Sequence, residues 1–275
     1  MKNRDMFKVI SYLILSICAF ATVFPLVPLF FASLKGRDEF LNTGSLTPPK
    51  NWFNFHNFQV AWSQGDLVHG FMNTGIILAV ALVGTILIGT MAAYAIDRFN
   101  FKGKQLILWT FLAATLVPGV TTQVATFQII NKLNLYNTRW SAIILYMGTD
   151  IISIYIFLQF MASIPKALDE SARIDGAGHF TIYFRIILPL LRPAIATVVI
   201  IKGIAMYNEF YIPFLYMPDP ALGTVSTSLY RFIGPFSASW QVICAATLIV
   251  ILPTLIAFLA LQKFIYRGLS AGAVK

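Results

Sequence analysis

Few residues of this 275-residue chain are placed to do chemistry, and they fall into two groups. Asp150, Lys202 and Glu209 stand inside long apolar runs, with Asn208 beside the last of them. An ionised group at the centre of a hydrocarbon layer costs about 2.5–3.5 kcal/mol on insertion scales unless it is paired or faces water. Such groups serve as ion pairs, substrate contacts or proton relays. The second group is Glu170, Arg173 and Asp175, within the most polar stretch of the second half of the chain, 164–193. That stretch reads as a helix, a glycine break and a second short helix. Pro165 suits a first helical turn, where its missing N–H would be unpaired anyway. Asp169 and Glu170 favour the positive end of the helix dipole. Lys166 and Glu170, like Asp169 and Arg173, lie four apart and can pair along one face. Gly176 and Gly178 supply the stop.

Bond-breaking chemistry has no such footing. No G-x-x-x-x-G-K-[ST] phosphate loop occurs, since Gly103-Lys104 lacks the earlier glycine and the following hydroxyl. No H-E-x-x-H occurs, and His56, His69 and His179 are scattered through loops. No serine sits in a G-x-S-x-G elbow. Cys18 and Cys244 both lie in apolar runs, so they read as small buried hydrophobes and give neither a metal site nor a disulfide framework. An enzyme acting alone is not indicated. Energy for any work must come from a partner or an ion gradient.

The elements that must hold these residues are membrane spans. Hydrophobic residues make up 58% of the chain, charged residues only 11%, and mean hydropathy is +0.75. Soluble domains run nearer half apolar and a quarter charged. Apolar stretches at 9–34, 73–96, 106–130, 140–162, 193–216 and 240–261 are each long enough to cross a bilayer, which takes about 20 helical residues. The fold class is therefore all-α and polytopic with six transmembrane helices. Ala19-Phe20-Ala21 resembles a cleavage site, but the apolar run continues past it, which favours an uncleaved anchor.

The net charge of +9 does not imply nucleic acid, because the basic residues sit at the ends of the spans. One side of the layer collects 13 of them: Lys2, Arg4, Lys8, Arg98, Lys102, Lys104, Lys166, Arg173, Arg185, Arg192, Lys263, Arg267 and Lys275. The other collects 6: Lys35, Arg37, Lys50, Lys132, Arg139 and Arg231. The positive-inside rule then places both termini and the 164–193 loop in the cytoplasm. The largest outer loop, 35–72, with Pro48-Pro49 and its aromatic residues, reads as a compact interfacial segment.

Within the spans, Asp150 and Lys202 fall near mid-depth and are expected to pair. Asn208 and Glu209 either line a polar pathway or bond to a neighbouring helix. Pro118-Gly119 interrupts the third span, as breaks along transport pathways do, although packing alone also tolerates them. Gly84 and Gly89 read as close-packing positions in the second span.

The pattern E-S-A-x3-G-x9-I-x-L-P runs through Glu170, Ser171, Ala172, Gly176, Ile186, Leu188 and Pro189. It resembles the EAA loop of the membrane subunits of ABC importers, with Ser171 where the family usually has alanine. Arg173-Ile174-Asp175-Gly176-Ala177, Leu135-Tyr136-Asn137-Thr138, Asn208-Glu209-Phe210 and the tail from Gly268 to Lys275 are similar to the carbohydrate-uptake branch, specifically its MalG-like subunits. The likeness covers nearly the whole chain and most specifically residues 71–261.

The resemblance implies a type I importer transmembrane fold. It divides the chain into a first segment and span (1–34), an outer loop (35–70), a transport domain (71–262) and a cytoplasmic tail (263–275). It implies a MalF-like second permease, two ATPase subunits carrying ATP and Mg, and an extracytoplasmic sugar-binding protein. This chain itself would bind no cofactor and sit in the cell membrane among lipid. The EAA loop would be the coupling helix seated in an ATPase groove. Glu170 would meet an ATPase arginine there, the small residues would allow deep seating, and Gly176 would permit close approach or a left-handed cap. Sugar contacts would come mainly from the other permease. An importer for another solute, such as a polyamine or glycerol-phosphate, and an ion-coupled carrier using Asp150, Lys202 and Glu209 are the alternative readings.

Overall fold

The structure is a computed structural model describing the backbone of residues 2–148, 151–233 and 238–273, with side chains described over the same stretches except 2–7, 261 and 263–273. Among the described residues every regular element is helical, apart from one isolated bridge between Ile233 and Ala238.

Proline placement decides where the apolar runs stay whole. α1 (Lys2–Val23) and α2 (Leu26–Leu34) meet at Phe24-Pro25 and together supply one apolar span, Lys8–Leu34. The outer loop forms α3 (Arg37–Asn42) and α4 (His56–Gln64). α5 (Leu67–Arg98) contains no proline and runs unbroken for 32 residues, about 48 Å at 1.5 Å per residue.

The third expected span, 106–130, is not one helix. α6 (Lys104–Thr115) and α7 (Gly119–Lys132) cross at 103°. Pro118 lies at the break with extended geometry (φ −62°, ψ 131°) and begins α7 without interrupting it. α8 (Arg139–Gly148) and α9 (Ile151–Ala162) cover the fourth, and Asp150 lies outside the described residues.

α10 (Ala167–Ile174) and α11 (His179–Ile182) follow, then a π turn (Tyr183–Ile187), α12 (Leu188–Leu190) and α13 (Arg192–Asn208). The fifth expected span, 193–216, stops at Glu209 before α14 (Tyr211–Tyr216). Pro213 accounts for the stop, because a proline has no N–H for the carbonyl four residues back and its ring crowds that carbonyl. α15 (Val225–Ser228) precedes α16 (Trp240–Ala273), which carries Pro253 inside it. Among the described residues three spans are long and apolar enough to cross a membrane, and up to six if each bent pair counts as one.

The chain forms two compact units. The smaller comprises residues 1–68 and 228–253. In it Ala61 of α4 is fully buried against Val242, Ala245 and Ala246 of α16, with Phe58, Leu229 and Phe232 around them. The buried Lys35 ammonium bonds Thr43 Oγ1 and Gly44 O, both at 2.9 Å, and the Asn57 amide holds the carbonyls of Ser33 and Lys35. The outer loop is therefore internally bonded as well as packed.

The larger unit has two apolar clusters, and α5 contributes to both. Ile77 and Ala81 pack with Ala142, Ile143, Tyr146 and Met206. Ala93 and Tyr94 pack with Phe157, Met161, Ile182, Tyr183, Ile187 and Leu191. Between them Gly84 faces Met147, and Gly89 faces Phe157. A Cβ at Gly89 would lie 2.9 Å from Cε2 of the Phe157 ring, which is fully buried and has nowhere to turn. A Cβ at Gly84 would overlap Cε of Met147 and lie 2.6 and 2.8 Å from its Sδ and Cγ, so the whole methionine side chain, half-buried and unbranched, would have to turn away. Alanine gains about 1 kcal/mol over glycine in a helix, whereas overpacking costs about 1–3 kcal/mol. Gly89→Ala should lower thermal stability in detergent more than Gly84→Ala, because a methionine can re-route where a buried ring cannot. Equal effects in a thermal size-exclusion assay would contradict this account of the packing.

Candidate functional site

α10 has acid in its first turn, Asp169 and Glu170, and Arg173 in its last, so side-chain charge matches the helix dipole at both ends. Its stop is a Schellman motif. Gly176 has φ +82°, its N–H bonds Arg173 O at 3.0 Å, and the N–H of Ala177 bonds Ala172 O at 2.9 Å. Nothing lies within 4 Å of where a Gly176 Cβ would be, so within this chain the glycine serves the left-handed cap and not a close approach. Gly178 is not part of the stop: it is extended (φ −75°, ψ 164°) and begins α11.

The helix is strictly two-faced. Asp169 and Ala172 are buried, while Ala167, Glu170, Ser171, Arg173 and Ile174 are exposed. Ala172 packs on the chain's own core, so its small size serves inward packing and not an outward groove. Ile174 is 87% exposed, the reverse of what an isoleucine does in a folded interior. Sequence reasoning left it out of the site, although it lies seven residues beyond Ala167 and on the same face.

Asp169 does not turn to Arg173, as its spacing suggested, but inward to Arg98 at the end of α5. Arg98 Nε approaches Asp169 Oδ2 at 2.8 Å, with the two side chains 2% and 6% exposed. The contact is one of charge without an aligned hydrogen bond, and Asp169 Oδ1 has no hydrogen-bond partner. Arg98 also donates through Nη2 to Ile164 O (2.9 Å) and through Nη1 to Asp97 Oδ2 (2.8 Å). One guanidinium thus holds both the entry to the loop and the first turn of α10. Removing one partner of a buried pair typically costs about 3–5 kcal/mol, because the other charge is left stranded. Arg98 had been read only as a topology charge. Its available signal was a basic residue in the last turn of a long helix.

The exit from the loop is held by rings. Tyr94 contacts Phe99 and Tyr183 at 5.8 and 5.6 Å between centroids, and Phe99 contacts His179 at 5.0 Å. Thr90 Oγ1 and the Tyr183 hydroxyl are 2.7 Å apart. Ile186 and Leu188 are half-buried against this core, and Pro189 is half-buried just beyond the π turn, so these three position the loop and do not belong to its outward face. The π turn fits the proline: Leu188 N bonds Tyr183 O, five residues back, and Pro189 needs no bond of its own. Asp175 and Gly176 are exposed at the tip.

Lys202 is half-buried on α13, and its expected partner Asp150 lies outside the described residues. Glu209 is not inside a helix. It follows α13 with extended geometry, and its Oε1 accepts from the N–H of Tyr211 (2.7 Å) and Ile212 (3.4 Å), capping α14. Its carbonyl, which Pro213 cannot bond, accepts from Ser226 Oγ at 2.7 Å. Asn208 is exposed and donates to Ile204 O.

A second polar cluster escaped sequence reasoning. The buried Asn73 amide donates to Ala221 O and Gly223 O, and its oxygen accepts from Arg139 Nε at 2.8 Å. Thr74 Oγ1 accepts from Val225 N, and Asn137 Oδ1 accepts from Asp219 N. The segment 219–225 is bonded in this way to the end of α5 opposite Arg98. Its partners are up to 151 residues apart in sequence, so no local pattern announces them.

Residues 85–271 match the family described as binding-protein-dependent transport system inner membrane component. The chain belongs to this family. It is 34% identical over 257 residues to the probable ABC transporter permease protein YurM of Bacillus subtilis (strain 168), covering 93% of this chain and 84% of that one. The melibiose/raffinose/stachyose import permease protein MelC of the same organism is 32% identical over 265 residues, 96% and 95% of the two chains. Its galactooligosaccharides transport system permease protein GanQ is 32% identical over 279 residues, 100% and 98%. In fold the chain is similar to a crystal structure of a bacterial ABC transporter involved in the import of the acidic polysaccharide alginate, with a TM-score of 0.81, 18% identity, and 96% and 98% of the two chains covered. The protein is thus an all-helical membrane component of a binding-protein-dependent transport system.

The cap at Gly176 makes its own prediction. A non-glycine residue in the left-handed region costs about 1–2 kcal/mol, so Gly176→Ala should speed hydrogen exchange at the Ala177 amide roughly tenfold. Gly176→Asn should do so less. Unchanged protection in Gly176→Ala would remove the capping role.

Proposed function

We propose that this chain is one of two permease subunits of an ATP-driven importer of oligosaccharides. The observation that carries the reading is the outward face of α10, where Ala167, Glu170, Ser171 and the exposed Ile174 stand on a helix whose other face is pinned to the chain's own core. A mixed acidic and apolar face held at a fixed angle suits a protein groove. Ile174 would fill an apolar recess and Glu170 would make a charge-assisted bond to a basic residue. Its partner is one of two cytoplasmic ATPase subunits, which bind ATP and Mg; this chain hydrolyses nothing.

The six-span arrangement with both termini in the cytoplasm is supported by the bent helix pairs and by the excess of 13 basic residues over 6 on the α10 side. The partition into an anchor (1–34), outer loop (35–70), transport domain (71–262) and cytoplasmic tail (263–275) belongs to the same reading, as do residence in the cell membrane and a MalF-like second permease. An extracytoplasmic sugar-binding protein delivers the substrate. Support for that comes from the family and from a solved relative of similar fold (TM-score 0.63), an alginate transporter in complex with an alginate pentasaccharide-bound periplasmic protein. Support for sugar as the substrate comes from relatives named for melibiose, raffinose, stachyose and galactooligosaccharides.

The test is uptake by the complete complex in proteoliposomes with enclosed ATP, across a panel of oligosaccharides, a polyamine and glycerol-phosphate. ATP-dependent accumulation of an oligosaccharide without any ion gradient is the expected result. Accumulation driven by a proton or sodium gradient would overturn the reading. Ile174→Glu, at a site with no interior packing to lose, should preserve membrane levels while reducing co-purified ATPase and uptake together. Normal ATPase recovery in that variant would remove α10 as the docking face.

A further inference from the structure

We infer that Arg98 is the positioning residue through which displacement of α10 is passed to α5. The inference rests on α10 being the ATPase-docking helix.

An ordinary connection between a docking helix and its spans would run along the chain, through Ser163-Ile164-Pro165 on one side and Gly176-Ala177-Gly178 on the other. Both segments are short and non-helical, so either can bend when α10 moves. Arg98 bypasses the first of them. It is the last residue of α5, far from α10 in sequence, yet its guanidinium contacts Asp169 within α10 and Ile164 O at the entry to the loop. One is an aligned hydrogen bond and the other a close charge contact, and the planar fork of an arginine reaches both at once where the single point of a lysine does not. Asp97 takes the remaining side of the guanidinium at 2.8 Å.

Burial makes the link stiff. At 2% exposure the Arg98 side chain cannot exchange its protein partners for water, so α10 cannot move far while Arg98 stays still without separating buried charges. A second connection is apolar: Ala172 of α10 lies in the same buried cluster as Tyr94, one turn before Arg98 on α5. α10 is therefore tied to α5 directly, and not only through the chain segments on either side of it. α5 itself has no proline to bend at, so a pull at Arg98 moves the helix as a body.

The test measures coupling apart from assembly, in the complete complex with its ATPases and binding protein. Arg98→Ala and Asp169→Asn leave the outward residues of α10 in place. ATPase subunits should still co-purify and hydrolyse ATP, while substrate moved per ATP falls at least about fivefold, within the usual range of coupling between sites. Arg98→Lys, keeping the charge but not the fork, should fall between. The double exchange Arg98→Asp with Asp169→Arg should recover more coupling than either half alone. Should Arg98→Ala fail to reach the membrane, Arg98→Lys and Asp169→Asn carry the test. Unchanged transport per ATP in a stably assembled variant overturns the inference. So does loss of ATPase binding in proportion to loss of transport, which would make Arg98 a support for the docking face and nothing more. Failure of the proposed function itself is distinguishable, because the unsubstituted complex would then show no ATP-dependent uptake and Ile174→Glu would leave ATPase binding intact.

Discussion

A guanidinium removed from water has to be answered by protein groups, and in this protein the answer is what joins the polar loop to the apolar body. Arg98 has Asp169 on Nε, Ile164 O on Nη2 and Asp97 on Nη1. They come from two places: Asp169 of α10 and the segment leading to it on one side, and the neighbouring Asp97 of α5 on the other. The two places are far apart in sequence, Ile164 lying 66 residues after Arg98. Replacing the pair with apolar side chains of similar volume could leave the fold as stable, since desolvation offsets most of a buried pair's attraction. Such residues would slide, however, whereas the fork of an arginine holds one register. The polar cluster is better explained by the geometry it enforces than by any stability it adds.

The remaining architecture separates segments that bend from one that does not. Pro118 divides the third apolar run, and Pro213 sets the break at Glu209 in the fifth. Each break frees backbone groups that an apolar layer would punish, and each is answered locally. Glu209 Oε1 caps α14, Ser226 Oγ donates to the Glu209 carbonyl, and Ala114 O, four residues before Pro118, accepts from Val117 N. Glycine in α5 has another use. Gly84 and Gly89 admit Met147 and Phe157 against the backbone without interrupting the helix.

Composition and charge were enough to place the chain in a membrane, and the E-S-A-x3-G spacing was enough to find α10 and its cap, because those signals are local. Asp169 shows where local reasoning ends. Its four-residue spacing from Arg173 predicted a surface pair, and burial against Arg98 overrode it, since a carboxylate taken out of water gains more from a buried cation than from an exposed one. Glu209 shows the same limit. An apolar run suggested a charge within a span, but Pro213, four residues on, had already stopped the helix there. That signal was in the sequence and readable as the loss of one backbone bond. Asn73 was not readable at all, because its partners Ala221 and Gly223 present only carbonyls, which every residue has.

The two clusters that sequence reasoning missed are the two ends of α5. At one end Asn73 and Thr74 hold residues 221–225, with Arg139 fixing the asparagine; at the other Arg98 and Tyr94 hold α10 and the chain after it. On the proposed topology these ends lie on opposite sides of the membrane. A helix of about 48 Å outreaches a hydrocarbon core of about 30 Å, so α5 can carry a polar grip beyond each face. A bent pair such as α6 and α7 would take up a displacement at its break. The unbroken helix has no place to take it up. On the inferred link through Arg98, a shift imposed on α10 reaches Asn73, and with it the segment that follows the broken fifth span. That consequence follows from which helix lacks a proline, and it gives the unbroken helix a part in transport that its apolar sequence alone would not suggest.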